Sequence, residues 1–285
     1  MSENAINVRR RRRAGPRQAI GLVGLHTAGI IASILCAGPV LLIVLASLRT
    51  STFARISFSV KTWTLQNYST LAHNDVFMRW IGNSLLVAAL VTLLTVVVDM
   101  LAAFAFAKIN FPGRGILFAL MLATLMVPFS ATLVPVYLIA SHLHMVNHYT
   151  GLVIPTVAGP FGVYLLRQFI RDIPDSLIEA ARIDGASYLR VFAMIVLPLC
   201  RQPMAVLSIF TFVATWNSFL WPLLMAQSED MMTLPVGIAT TNTQFSQNVN
   251  GINAATVLSL LPMAILFAAF QRYFVRGVLA GAVKA

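Results

Sequence analysis

Six stretches of this chain are apolar over about the length needed to cross a bilayer. They run roughly Ile20–Leu48, Ile81–Ala107, Ile116–Ser141, Gly151–Leu166, Met204–Met225 and Ala254–Tyr273. A hydrocarbon core about 30 Å thick calls for about 20 apolar residues per helix. Only 10% of the 285 residues are charged, against about 25% in a soluble domain. So little polar surface excludes an ordinary cytosolic enzyme and a disordered chain. Cys36 and Cys200 sit in or beside apolar runs and offer no disulfide framework. The fold class expected is an all-α membrane protein with six transmembrane helices.

The net charge of +11 has a topological explanation. Arg9–Arg13 and Arg17 precede the first span. Lys108 and Arg114 lie between the second and third, and Arg167, Arg171, Arg182, Arg190 and Arg201 between the fourth and fifth. Arg272, Arg276 and Lys284 follow the sixth. Sixteen of the twenty basic residues therefore fall on one side, and Arg49, Arg55, Lys61 and Arg79 on the other. The positive-inside rule places both termini in the cytoplasm of a cell (inner or plasma) membrane. Residues 1–19 then read as a basic tail anchored at lipid headgroups, and 20–285 as the membrane domain. The charge calls for no nucleic acid.

In so apolar a chain each polar interruption is informative. Pro128 and Pro135 fall in the third span, Pro155 and Pro160 in the fourth, Pro222 in the fifth and Pro262 in the sixth. Each is either a simple kink or a bend used in motion. Asp99 is the only clear acid inside a span, about 13 Å deeper than Lys108 at 1.5 Å per residue. It is either an interhelical hydrogen-bonding group or a polar contact on a solute path. Trp216, Asn217, Ser218 and Trp221 form a polar and aromatic cluster that suits either a sugar or helix packing. His142, His144 and His148 lack acidic or thiol neighbours, and no metal site is expected there.

The link between the fourth and fifth spans, about 171–203, carries the most information. Pro174 stops the preceding helix. Ser176 and Glu179 stand at capping-box spacing, and a short helix should follow and end near Gly185. A second helical run, Tyr188–Leu197, leads to Pro198. Ala180, Ala181 and Gly185 present little bulk, so another protein can approach closely. Asp175, Glu179, Arg182 and Asp184 give that surface its polar edges.

Glu179-Ala180-Ala181, three residues, Gly185, nine residues, then Ile195-Val196-Leu197-Pro198 resembles the EAA signature of permease subunits of binding-protein-dependent ABC importers. Thr64–Tyr68, Asn83-Ser84, Phe111–Arg114, Leu165–Phe169, Trp216–Pro222, Thr233–Gly237 and Gln271–Lys284 are similar to the carbohydrate branch. Within it they resemble the second, maltose-permease-like partner of a heterodimeric pair. Asp99 departs from the small or neutral residue expected in that branch.

The resemblance implies a cytoplasmic coupling helix between spans four and five, with Glu179, Ala180, Ala181, Arg182, Asp184 and Gly185 as the ATPase-coupling residues. It implies a second permease subunit, two ATPase subunits and an extracytoplasmic solute-binding protein as partners. Asp99, Trp216, Asn217 and Ser218 are the candidate solute path. No Gly-Lys dipeptide occurs, so a phosphate-binding loop is lacking. ATP and Mg would then bind the ATPase partners, and this chain would be a transporter subunit with no cofactor and no ATPase activity of its own. The solute implied is a sugar or sugar-like molecule. A polyol or glycerol phosphate is the near alternative. An ion-coupled secondary transporter with Asp99 as carrier is the distant one, as is a membrane scaffold.

Overall fold

The computed structural model describes residues 16–49, 63–244 and 249–282. The Arg9–Arg13 run, Arg55, Lys61 and Lys284 lie outside the described residues, as does most of the 1–19 tail.

A backbone in hydrocarbon must satisfy its own amides and carbonyls, and a helix does this within one segment. The described chain is accordingly helical, apart from one isolated backbone bridge between Arg49 and Trp63. The elements are α1 (Pro16–Ser47), α2 (Gln66–Ala72), α3 (Asp75–Lys108), α4 (Arg114–Ala123), α5 (Phe129–His142), α6 (Tyr149–Val153) and α7 (Pro160–Arg171). There follow α8 (Asp175–Ile183), α9 (Tyr188–Val191), α10 (Leu197–Leu199), α11 (Arg201–Trp216), α12 (Leu220–Met225), α13 (Leu234–Gln244) and α14 (Val249–Ala282). Short 3-10 turns extend α4 and α6, and a π-helical turn, Phe192–Val196, joins α9 to α10.

Three helices are each long and apolar enough to cross a membrane: Gly24–Ser47 within α1, α3, and Val249–Phe270 within α14. Three further pairs meet that test only when two helices are joined across a bend. The third expected span breaks at Val127-Pro128, where α4 with its 3-10 turn meets α5 at 104°. The fourth breaks between Thr156 and Pro160, with a bend of 49°. Pro128 and Pro160 explain both, because each lacks the amide that would continue the ladder.

The fifth span differs most from expectation. Met204–Met225 is not one helix, since α11 ends at Trp216 and α12 starts at Leu220. The apolar partner of α11 lies instead on its other side, where Tyr188–Leu199 meets it at 79° across Cys200. Pro198, two residues earlier, and Pro203, two residues into α11, disrupt the ladder on both sides of that bend. Hydropathy alone joined α11 to α12 because the intervening Asn217-Ser218-Phe219 is too short to lower a window average.

The continuous helix α3 is the axis of the bundle. At 1.5 Å per residue its 34 residues span about 50 Å, more than a hydrocarbon core. It starts earlier than expected because Asn74 caps it, accepting a hydrogen bond from the Phe77 amide at 3.0 Å. α7 and α11 pack along it. Small residues at the contacts, Ala103 and Gly162, let the backbones approach. Lipid tails are as apolar as leucine, so close packing supplies the attraction here. One core cluster joins Met100, Phe104, Leu166, Ile170, Phe192 and Val196 toward the Lys108 end of α3. A second joins Val87, Val91, Leu152, Trp221 and Met225, and a third joins Phe77, Trp80, Trp216 and Leu234 toward its start. α1 packs along α14 and turns much of its apolar surface outward, with Leu25, Ile34 and Leu35 exposed.

The Arg79 end of α3 is closed by two asparagine hubs. The Asn83 amide donates to the Asp230 and Met232 carbonyls at 2.8 and 2.9 Å and accepts from the Tyr149 hydroxyl at 2.7 Å. Asn147 Oδ1 accepts from the Gln227 and Ser228 amides at 3.1 and 3.0 Å. Trp80 donates to the Glu229 carbonyl at 2.9 Å, and Arg79 pairs with Asp230. These bonds hold the irregular 226–233 segment against α3. Asn83→Ala leaves two carbonyls and one hydroxyl without their partner, at a cost of about 1–3 kcal/mol. The expected result is a lower unfolding midpoint of the detergent-purified protein, followed by tryptophan fluorescence. An unchanged midpoint would remove Asn83 as the hub.

Candidate functional site

Two regions draw functional residues together, one at the Lys108 end of α3 and one beside its middle.

The first is the 171–203 segment. Pro174 ends the run from α7 and takes the N-cap position of α8. The expected Ser176–Glu179 capping box does not form, because the helix starts at Asp175 and no side chain caps it. The other end is as expected: α8 stops at Ile183, and Gly185 adopts φ +82°, a left-handed conformation that glycine tolerates. Ser187 then caps α9 by accepting from the Arg190 amide at 3.3 Å.

The inward face of α8 is fastened. Ile178 is buried in the cluster of Ile170, Ile173 and Phe192. The Lys108 ammonium reaches from the end of α3 to the Ile173 carbonyl at 2.5 Å and the Asp175 carboxylate at 2.6 Å. Only 5% of the Lys108 side chain is exposed, so this cation is held by protein groups at the turn where α7 passes into α8. Nearby, Arg167 on α7 donates to the Phe106 carbonyl at 3.1 Å and lies 4.0 Å from the Phe118 ring centroid, linking α7, α3 and α4.

The outward face of α8 is bare. Ile183 is 85% exposed, and Leu177, nearly two turns earlier on the helix, is exposed as well. Glu179, Ala180, Asp184 and Gly185 are exposed and Ala181 is partly buried. Arg182 is occupied locally: it donates to the Ala186 carbonyl at 2.9 Å and lies 4.3 Å from the Tyr188 ring, bracing the turn around Gly185. A polar hollow of about 690 Å³ opens between α8 and the ends of α3 and α4, lined by Lys108, Asn110, Arg114, Glu179 and Arg182. Sequence reasoning missed Ile183, Leu177 and the Lys108 anchor. The first two carried a signal, as apolar residues on a helix otherwise polar or small. Lys108 counted only toward topology.

The second region is a cavity of about 470 Å³ beside the middle of α3. It lies where the breaks converge: Phe129 follows the first, Thr156 and Gly159 flank the second, and Ser218 and Trp221 flank the gap between α11 and α12. Broken backbone at this depth is tolerated where it lines a cavity or is buried in protein. Asp99 and Thr95 form part of its α3 wall. A larger open groove runs along α1, but it has a single wall and no convergent polar groups.

The four candidate path residues separate. Asp99 and Ser218 line the cavity. Trp216 packs with Phe77, Trp80 and Leu234, stacks on Phe212 at 6.1 Å and donates to the Ser259 carbonyl at 3.1 Å. Asn217 turns back to the Val213 carbonyl at 2.8 Å, closing the end of α11. Trp221 reaches the cavity wall with its indole N–H on the Gly151 carbonyl at 3.1 Å. Among the described residues no group of three or more His, Cys, Asp or Glu is placed to hold a metal ion.

Comparison with known proteins gives one consistent result. The chain is 35% identical over 252 residues to the arabinooligosaccharides transport system permease protein AraQ of Halalkalibacterium halodurans, covering 86% of this chain and 90% of that one. It is 38% identical over 224 residues to the sn-glycerol-3-phosphate transport system permease protein UgpE of Salmonella typhi, covering 76% and 80%. In fold it is similar to a chain of a bacterial ABC transporter involved in import of the acidic polysaccharide alginate, with a TM-score of 0.80 and 21% identity, over 92% of this chain and 99% of that one. The family model for the binding-protein-dependent transport system inner membrane component matches residues 100–280, which take in both α8 and most of the cavity wall. The chain belongs to that family, as a membrane permease subunit of an ABC importer and not its ATPase.

Proposed function

We propose that this permease crosses the membrane six times with both termini in the cytoplasm, the bent helix pairs included among its spans. Residues 20–285 make the membrane domain and α8 is its cytoplasmic coupling helix. It forms half of the translocation path for a sugar or sugar-like solute. The other half belongs to a second permease subunit in a heterodimer. Two ATPase subunits hold ATP and Mg, and an extracytoplasmic binding protein delivers the solute.

The observation that carries this reading is the two-sided character of α8. Its inner face is tied to α3 and α7 through Ile178, Lys108 and Asp175, while its outer face exposes Ile183 and Leu177 beside Glu179. Exposed apolar side chains set among polar ones are the anatomy of a docking surface. Ala180 and Gly185 leave room for a close partner, and Glu179 and Asp184 supply orienting charge. A displacement of α8 by closure of the ATPase pair has few soft joints through which to dissipate. It passes to α3 by Lys108 and to α7 by the Ile170–Ile173 packing, and these helices wall the cavity. The bends at Pro128, Pro160 and Cys200 are the places where the bundle can change angle between outward- and inward-facing states.

The relatives named for arabinooligosaccharides support an oligosaccharide as the solute, and the aromatic and hydroxyl lining agrees with it. Those named for sn-glycerol-3-phosphate support the alternative of a polyol or glycerol phosphate.

Two experiments test the coupling. Glu179→Lys reverses an exposed charge at the docking rim, and Gly185→Trp adds bulk there. Each should lower uptake by roughly tenfold with membrane insertion intact. Normal uptake and normal co-purification of the ATPase subunits in both variants would remove α8 as the docking helix. Lys108→Met should leave the ATPase subunits bound but loosen α8 from α3, by about 1–3 kcal/mol for the acceptors left without a donor. The expected outcome is a fall in solute moved per ATP hydrolysed in proteoliposomes. An unchanged ratio would mean that load bypasses this anchor.

A further inference from the structure

Asp99 is wholly buried, at 0% exposure, and neither of its carboxyl oxygens has a hydrogen-bond partner. One helical turn earlier, the buried Thr95 hydroxyl also has none. Three unmet polar atoms thus sit on one face of α3, and both residues line the cavity where the helix breaks meet. Buried polar groups in proteins almost always have partners, and intramembrane acids are rare unless they serve a path or a ligand.

The Gly159 backbone amide is directed at the carboxyl, but no donor side chain is set against it. Across from Asp99, α7 carries Gly162, and a Cβ there would collide with the carboxyl Oδ2. The chain therefore makes space for the carboxyl and places no donor side chain against it. No lysine, arginine or histidine lines the cavity. Its other polar side chains are the hydroxyls of Thr156, Thr211, Thr215 and Ser218, set among the rings of Phe129, Phe161, Phe210 and Trp221. Aromatic faces with hydroxyls and a carboxyl acceptor match a molecule that has apolar ring faces and many hydrogen-bond donors. They oppose one that carries negative charge, because an anion here would face Asp99 with no compensating cation.

We propose that this cavity is a solute subsite contributed by this permease, and that it takes a polyhydroxylated sugar without negative charge whose donors satisfy Asp99 and Thr95. This deepens the importer reading above and rests on it. It also decides between the two solute classes suggested by the relatives, against glycerol phosphate. In the conformation seen, the carboxyl is shut away from water, and the transport cycle opens it to the path.

A hydrophobic carbodiimide, which adds to buried carboxyls, tests this on the unmodified importer. The whole complex with its binding protein is reconstituted in nanodiscs, treated at rest and during ATP turnover, and the Asp99 peptide is followed by mass spectrometry. Labelling should rise during turnover and be suppressed by arabinotriose. Suppression by a glucosamine trimer alone would identify an ammonium donor in place of a hydroxyl and would still support the subsite. Suppression by glycerol 3-phosphate, suppression by none of the three, or no labelling during turnover would overturn it. In parallel, Asp99→Asn should cut uptake about tenfold while ATPase stimulation by the binding protein persists. Unchanged uptake would overturn the subsite, and if that variant fails to assemble the labelling still decides. The Glu179→Lys result bears on α8 docking alone, so failure of the coupling reading and failure of the subsite are read separately.

Discussion

An amide or carbonyl in hydrocarbon has no water to turn to, and the architecture follows from that single penalty. It makes the described chain helical almost throughout. It also dictates what happens where helices stop. The residues that end them either bond to neighbouring backbone, as Asn83 and Asn147 do for the 226–233 segment, or open onto the cavity, as Gly159 and Ser218 do. Breaks in this bundle are therefore not scattered. Those at Pro128, Pro160 and Asn217–Phe219 come together on one hollow beside α3.

The same penalty separates the two charged groups of α3. Lys108 lies at the helix end, nearly buried, and is met by a carbonyl and a carboxylate. Its position makes it a fastening between α3 and α8. Asp99 lies deeper, and among the described residues no side chain pairs with it. One helix thus carries a paired charge at its end and, deeper, an acid without a side-chain partner among the described residues, which the proposed subsite would complete. The distance between them, nine residues or about 13 Å, links the coupling end of the bundle to its cavity along a single unbroken rod.

The importer assignment and the geometry support each other without being the same argument. Family membership rests on similarity across residues 100–280. The coupling role proposed for α8 rests on a surface whose inner face is locked and whose outer face is exposed. A helix with Ile183 so exposed has a poor reason to exist in an isolated chain and a good one in a complex.

The sequence by itself determined the helical class and the short helix that stops just before Gly185. These depend on local composition, on where proline removes a donor and on where glycine permits a left-handed turn. The EAA pattern was legible for the same reason, since its spacing is a property of one continuous segment. Only the tertiary structure decided that α11 pairs with Tyr188–Leu199 across Cys200 and not with α12, that Trp216 is a packing residue while Ser218 faces the cavity, and that Lys108 anchors α8. It alone set Asp99 against Gly162 with no donor side chain facing it. Each of these turns on which groups from distant parts of the chain meet, and hydropathy averaged along a sequence has no term for that.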